Sequence, residues 1–130
     1  MNILRPVDIE NEVRLALNDY FEVYCRPLPK TYNLPNILVE QTGGSTSDTV
    51  DTFQVKLSVR AKTDGDAIDT LRTALGVLEA QTEEQVGALR HMSLNSLASW
   101  GSDPVRPDLK LCTATILVIA HRELFEIDES

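Results

Sequence analysis

The side chains that could carry out chemistry are few in this 130-residue sequence, and their spacing fits no common catalytic or metal site. His91 and His121 are the two histidines. They do not stand at metal-ligand spacing, and no cluster of cysteines or carboxylates accompanies them. Cys25 and Cys112 lie far apart without a motif, which is typical of free thiols in a reduced compartment. We therefore expect structural or surface roles for these four residues and no metal.

The glycine pair at 43 and 44 has the composition of a phosphate-binding loop but not its pattern. It lacks the Gly-x-x-x-x-Gly-Lys sequence, and it leads into a predicted strand, so no helix amino terminus would face a phosphate. No Gly-x-Ser-x-Gly elbow is present either. The acids Glu79, Glu83 and Glu84 are expected to be a solvated helix end. The sequence thus predicts no catalytic residue, no cofactor and no enzymatic activity.

The overall composition disfavours nucleic-acid binding and a membrane-spanning protein. The chain has a net charge of −8, with 12 basic residues against 20 acidic ones, which disfavours a nucleic-acid clamp. There is no run of about 18 apolar residues, so we expect no membrane span. The amino-terminal residues lack the apolar core of a signal peptide, and the length suits one domain.

The stretch over residues 51–80 is the centre of the predicted fold. Its first half alternates, with Phe53, Val55, Leu57 and Val59 on one face, which predicts a strand buried on one side. Its second half has apolar residues at helical spacing, capped by Thr63 or Asp64. The helix must fold back on the strand, because the turn between them is short.

Other elements follow from the same patterns. The sequence predicts a helix over 8–21, a short strand over 22–26, a proline loop over 27–35, a strand over 36–42 and a flexible hairpin tip over 42–49. It further predicts a helix over 64–81, a strand over 92–99, a loop over 101–110, a strand over 111–121 and an acidic tail over 123–130. The expected fold class is a single α+β domain with a mainly antiparallel sheet of about four strands and two helices packed on one face.

The last strand carries the strongest indication of assembly. Residues 116–120 are apolar on both faces, and the two helices can cover one face only. Val118 and Ile119 point to opposite sides, so one of them is expected in the core and the other against a neighbouring subunit. Trp100 is either a core or an interface anchor. The candidate interface residues are Thr42, Gly43, Gly44, Ser45, Trp100, Val118 and Ile119.

The order of elements along most of the chain also carries a resemblance. The first helix leads to Arg26-Pro27-Leu28-Pro29-Lys30, and a strand then runs into Thr42-Gly43-Gly44. The strand over 53–61 turns at an aspartate into the next helix, and a loop over 100–107 with a tryptophan and prolines precedes the final strand. In this order, though in no single motif, the chain resembles the tail terminator proteins of long-tailed bacteriophages.

The resemblance implies a structural, late-expressed virion protein that assembles in the host cytoplasm. It would form a homohexameric ring at the head-proximal end of the tail, end polymerisation of the tail tube and join the tube to the neck. Its partners would be itself, the tail tube protein and neck or head-completion proteins. DNA would pass through without specific binding, and acidic side chains on the lumen would repel it.

Other functions remain open from the sequence alone. The same layout fits another neck or tail-completion protein of a phage. A small cellular ligand-binding domain with a ferredoxin-like sheet, or an enzyme with an unrecognised site, would also suit this length. Native mass separates a ring from the monomer or dimer expected of a cellular domain.

Overall fold

The computed structural model describes residues 1–47 and 50–128, and at residues 97 and 98 the backbone alone. Within these residues there are two helices and seven strands. The helices are α1 (Ile9–Leu17) and α2 (Asp64–Glu83). The strands are β1 (Asn2–Arg5), β2 (Glu22–Cys25), β3 (Asn36–Thr46), β4 (Val50–Ala61), β5 (Leu89–Ser102), β6 (Lys110–His121) and β7 (Glu123–Glu126).

The strands form two sheets. The larger has five strands in the order β2-β3-β4-β6-β5, and β1 and β7 form a separate two-stranded sheet. Strands β2 and β3 pair in parallel, while all other pairs are antiparallel. The two predicted helices are present, but the predicted fold class, with a sheet of about four strands, is wrong: about 48% of the described residues are in strands, and the larger sheet has five strands and is mixed.

The additional strand residues lie in β1 and β7 and in the extensions of β3 and β5, whereas the mixed character of the larger sheet comes from the loop before β3. The proline loop, which in the structure comprises residues 26–35, returns the chain to the end of the sheet at which β2 began. Strand β3 therefore runs parallel to β2. Residues 123–126, predicted to be part of an acidic tail, instead form β7 and pair with β1 from Asn2↔Glu126 to Arg5↔Glu123. Strands β1 and β7 have four residues each, which is too short for an alternating pattern to predict a strand.

The main core lies between the two helices and one face of the five-stranded sheet. Phe53, Val55, Leu57 and Val59 of β4 all point to this inner face, as their alternation predicts. Helix α2 begins at the N-cap Thr63, whose hydroxyl accepts a hydrogen bond from the Asp66 amide at 3.1 Å. Its buried stripe consists of Ala67, Leu71, Ala74, Leu78 and Thr82.

Helix α1 is shorter than predicted and packs beside α2 on the same face. The carboxylate of its N-cap Asp8 accepts a hydrogen bond from the Asn11 amide at 3.3 Å. The helix ends at Leu17, whose carbonyl then accepts from the amides of Tyr20 and Phe21 in a closing turn. The apolar spacing continues through these aromatic residues, which is why the sequence alone extends the helix to residue 21.

The sheet has two ends and an outer face that matter for function. We call the end with Asn36, Arg60 and Lys110 the loop end, and the end with Val50 and His121 the termini end. On the outer face, Leu38 and Ser58 near the loop end are buried outside the main core cluster. Towards the termini end the outer residues of β4 and β6 are only half-buried.

Candidate assembly surfaces

The predicted hairpin residues lie on a regular part of the sheet rather than on a loose tip. Strand β3 continues through Thr42, Gly43, Gly44 and Ser45 as far as Thr46, with a bulge between Gln41 and Gly43. At Gly44 a side-chain Cβ would come within 2.7 Å of the Thr52 carbonyl oxygen, so a glycine allows the two strands to approach. The end of the predicted tip, residues 48 and 49, lies outside the described residues.

This part of β3 borders a cleft of about 410 Å³ at the termini end. Pro6 and Val7 form one wall, and Gly44, Ser45 and Phe53 contribute to the other. The Phe53 side chain is almost fully buried, so it contributes only a small apolar area to the cleft. The lining also contains the hydroxyl groups of Ser45, Thr46 and Thr52 and the carboxylate of Asp51, which forms an ion pair with Arg122. The cleft is therefore mixed in character, with apolar and polar walls.

Trp100 lies on β5, which is the edge strand of the large sheet. Its side chain is 52% exposed, so the choice between a core and a surface position is resolved in favour of the surface. The other edge of β5 pairs with no strand of the described chain. Three irregularities interrupt its pairing with β6, which is one way in which an edge strand resists uncontrolled aggregation.

Val118 and Ile119 have opposite environments. Val118 is 1% exposed and belongs to the main core, opposite Phe53. Ile119 pairs with Thr52 on the outer face and is half-buried beside Leu117. Of the two alternatives, therefore, Ile119 is the residue that a neighbouring subunit could contact, and Val118 is not available in the folded chain.

The sheet of β1 and β7, which we call the ribbon, was missed by the sequence prediction. Outside their mutual pairing these strands make few contacts with the other elements. The ribbon exposes apolar side chains on both faces: the paired residues Leu4 and Leu124, 66% and 70% exposed, lie on one face, and Phe125, 39% exposed, lies on the other. Arg5 fixes its internal geometry, because its Nε donates to Glu123 at 2.6 Å and its guanidinium lies 3.5 Å from the centre of the Phe125 ring.

Glu10 occupies part of the sheet edge opposite β5, where β3 extends beyond β2. Strand β2 pairs with β3 only as far as Val39. Just beyond it, the Glu10 carboxylate accepts a hydrogen bond from the backbone amide of Gln41 at 2.9 Å. The same oxygen accepts from Arg26 Nη2 at 2.6 Å. Burial raises the pKa of Glu10, but the bonds from Arg26 and Gln41 outweigh it and lower the pKa overall. An ionised carboxylate therefore occupies the edge of β3 at Gln41, just past the end of β2.

A buried ion pair lies on the outer face of the sheet at the loop end. Arg60 Nε donates to Asp103 at 2.6 Å, and the side chains are 11% and 4% exposed. The other Asp103 oxygen accepts from the amides of Val105 and Arg106. Burial opposes ionisation of Asp103, yet these bonds prevail and lower its pKa. The pair attaches the segment after β5 to the sheet.

Conventional sites are absent from the part of the chain that the structure describes. Over residues 1–47 and 50–128 no three residues among the histidines, cysteines and acids come together as a metal site. No helix in these ranges has the length and apolar character to cross a membrane. No protein-family model matches the chain, and no curated protein matches it.

Proposed function

We propose that this chain is a structural subunit that assembles into a closed ring, caps the tail tube of a long-tailed phage and joins it to the head or neck. Its activity is assembly rather than catalysis. The observation that carries the proposal is the ribbon, which stands apart from the core and presents apolar side chains on both faces. The order of elements that resembles tail terminators supplies the biological setting.

The ribbon supports assembly for an energetic reason. A two-stranded sheet is at best marginally stable alone in water, because it buries little apolar surface. Leu4, Leu124 and Phe125 remain available for contact after the subunit has folded. Packing them against a second subunit would remove that surface from water and order the ribbon at the same time.

A closed ring needs two different surfaces on each subunit, since neighbours meet head to tail. The ribbon at the termini end offers one. The open edge of β5 offers another, with exposed Leu94 and Trp100. Ile119 on the outer face extends the apolar surface near the ribbon's attachment to β6. These surfaces lie at different places on the subunit, so a contact between them repeats from subunit to subunit and closes into a ring when the rotation between neighbours permits it.

The net charge of −8 is consistent with a passage for DNA. A wall of carboxylates repels phosphate groups, so DNA can move through without being held. Another neck or tail-completion protein through which DNA passes would also need a wall that repels phosphate. Of these two roles, capping of the tail tube is the more specific proposal.

Disruption of the gene in a phage that encodes this chain tests the capping role. With an early stop codon, we expect tail tubes of variable and excessive length that do not attach to filled heads, because nothing ends polymerisation. Electron microscopy of the lysate measures tube length, and supplying the intact chain from a plasmid is the control that should restore it. Tails of normal, uniform length without the chain would contradict capping.

A further inference from the structure

A cleft of about 430 Å³ opens at the loop end, between the proline loop and the segment after β5. We call it the loop-end cleft. Lys30, Arg60 and Arg106 line it, and Asp103 is the one acid among its lining residues. This group of positive charges is unusual in a chain with a net charge of −8. Leu28 and Val105 form an apolar part of the cleft wall, and Val105 is 86% exposed.

The positive charges of the loop-end cleft are incompletely compensated. Arg60 donates to Asp103 through Nε, but its Nη1 is enclosed and has no hydrogen-bond partner among the described residues. Arg106 reaches Asp108 at 3.2 Å, in a pair so exposed that it contributes little. Lys30 is exposed and forms no ion pair with the described residues. The cleft therefore favours a ligand that carries carboxylates.

The carboxyl-terminal part of α2 carries negative charge that is uncompensated within the described residues. Glu79, Glu83 and Glu84 are exposed there, and the last turn contains no basic residue. Carboxylates are unfavourable at this end of a helix, because the helix dipole is negative there. Helix α1, in contrast, has Arg14 in its last turn. We call the three glutamates the acidic helix end.

The two charged surfaces cannot meet within one subunit. The loop-end cleft includes Arg60, which pairs with Leu111 at the start of β6, whereas the acidic helix end leads into Leu89, which pairs with Ala120 near the end of β6. Nine residues of extended strand separate these positions, which is roughly 30 Å. Complementary charges at opposite ends of one chain suit a head-to-tail contact between copies.

We propose that the loop-end cleft binds the acidic helix end of the neighbouring copy, with Lys30 and Arg106 facing Glu79, Glu83 and Glu84. This inference rests on the proposed ring and names one of its contacts. Exposed ion pairs are individually weak, so the contact chooses the orientation and partner of the neighbour, and the apolar surfaces add affinity.

Charge reversal on each side, followed by mixing, tests the proposal. The first variant carries Lys30→Glu and Arg106→Glu, and the second carries Glu83→Lys and Glu84→Lys. In a ring built from either variant alone, like charges would face each other at every contact. We therefore expect association of each single variant to weaken about a hundredfold, as measured by sedimentation velocity. An equimolar mixture places opposite charges at every contact of an alternating, even-numbered ring, so we expect the wild-type mass to return. Raised salt should weaken the wild-type ring.

Lys62→Glu is the matched control, because Lys62 is an exposed cation at the loop end outside the cleft lining, and we expect it to assemble like the wild type. Circular dichroism checks folding, and Lys30→Glu alone replaces the double variant if that variant misfolds. Rings of normal stability in the first variant, or failure of the mixture to reassemble, would overturn this contact while leaving the ring intact as a proposal. A wild-type chain that forms no ring would overturn both.

Discussion

Val118→Lys is expected to unfold the subunit, whereas Ile119→Lys should leave it folded. Val118 is 1% exposed on the helix-covered face, so a lysine there would bury an ammonium group without a partner. Burial of an unpaired charge in a core costs about 4 kcal/mol or more, which is a large part of the stability of a domain this size. Chemical denaturation monitored by circular dichroism measures the loss.

Ile119→Lys is the matched variant one residue further along the same strand. Its side chain lies on the outer face beside Leu117, where the long stem of a lysine can reach water. We expect a near-normal free energy of unfolding but loss of the ring, since the new charge would lie on a surface that neighbours bury in the proposed ring. If both variants unfold, the outer face is core as well, and the interface must be sought elsewhere, first in the proline loop. If Ile119→Lys still forms rings, this face is not an interface.

Asp103→Ala should be the second most damaging change. It leaves the largely buried Arg60 guanidinium without its counter-ion and removes the acceptor of the Val105 and Arg106 amides. Removing one partner of a buried ion pair costs about 3–5 kcal/mol. Asp108→Ala is the control, because its pair with Arg106 is exposed, and it should change stability by less than about 0.5 kcal/mol. Urea unfolding at neutral pH compares the two variants with the wild type.

The same ion pair predicts a pH dependence with a definite sign. The pKa of Asp103 is lower in the folded chain than in the unfolded chain, where an aspartate has a pKa of about 3.9. Its contribution is therefore complete above about pH 5 and is lost as the pH falls through 3.9 towards the folded value. We expect the stability gap between the wild type and Asp103→Ala to shrink over this range. A gap that stays constant down to pH 3 would contradict the assignment.

The elements with strong local periodicity could be predicted from the sequence. The alternation in β4 and the helical stripe of α2 each contain several apolar residues, so their inner faces are evident without a structure. Strand β5 was only partly predicted, over 92–99 instead of Leu89–Ser102, because the register shifts in its pairing interrupt the alternation of apolar and polar residues.

The missed features depend on partners that are distant in the chain. Strands β1 and β7 have four residues each and become a ribbon only by pairing with one another across the whole chain. Arg60 and Asp103 are 43 residues apart and share no motif. The sequence could also place Val118 and Ile119 on opposite faces, but which face the helices cover depends on the register of the whole sheet. A short-range pattern cannot specify these relations.

The native mass of the purified chain tests ring assembly most directly. Sedimentation velocity and native mass spectrometry at several protein concentrations should give a closed species at a fixed multiple of the 14.5 kDa subunit mass, with six copies expected. The mass should not grow with concentration, because a closed ring leaves no free surface of either kind. A chain that remains a monomer or dimer at every concentration would contradict the ring, and so would an open series of ever larger oligomers.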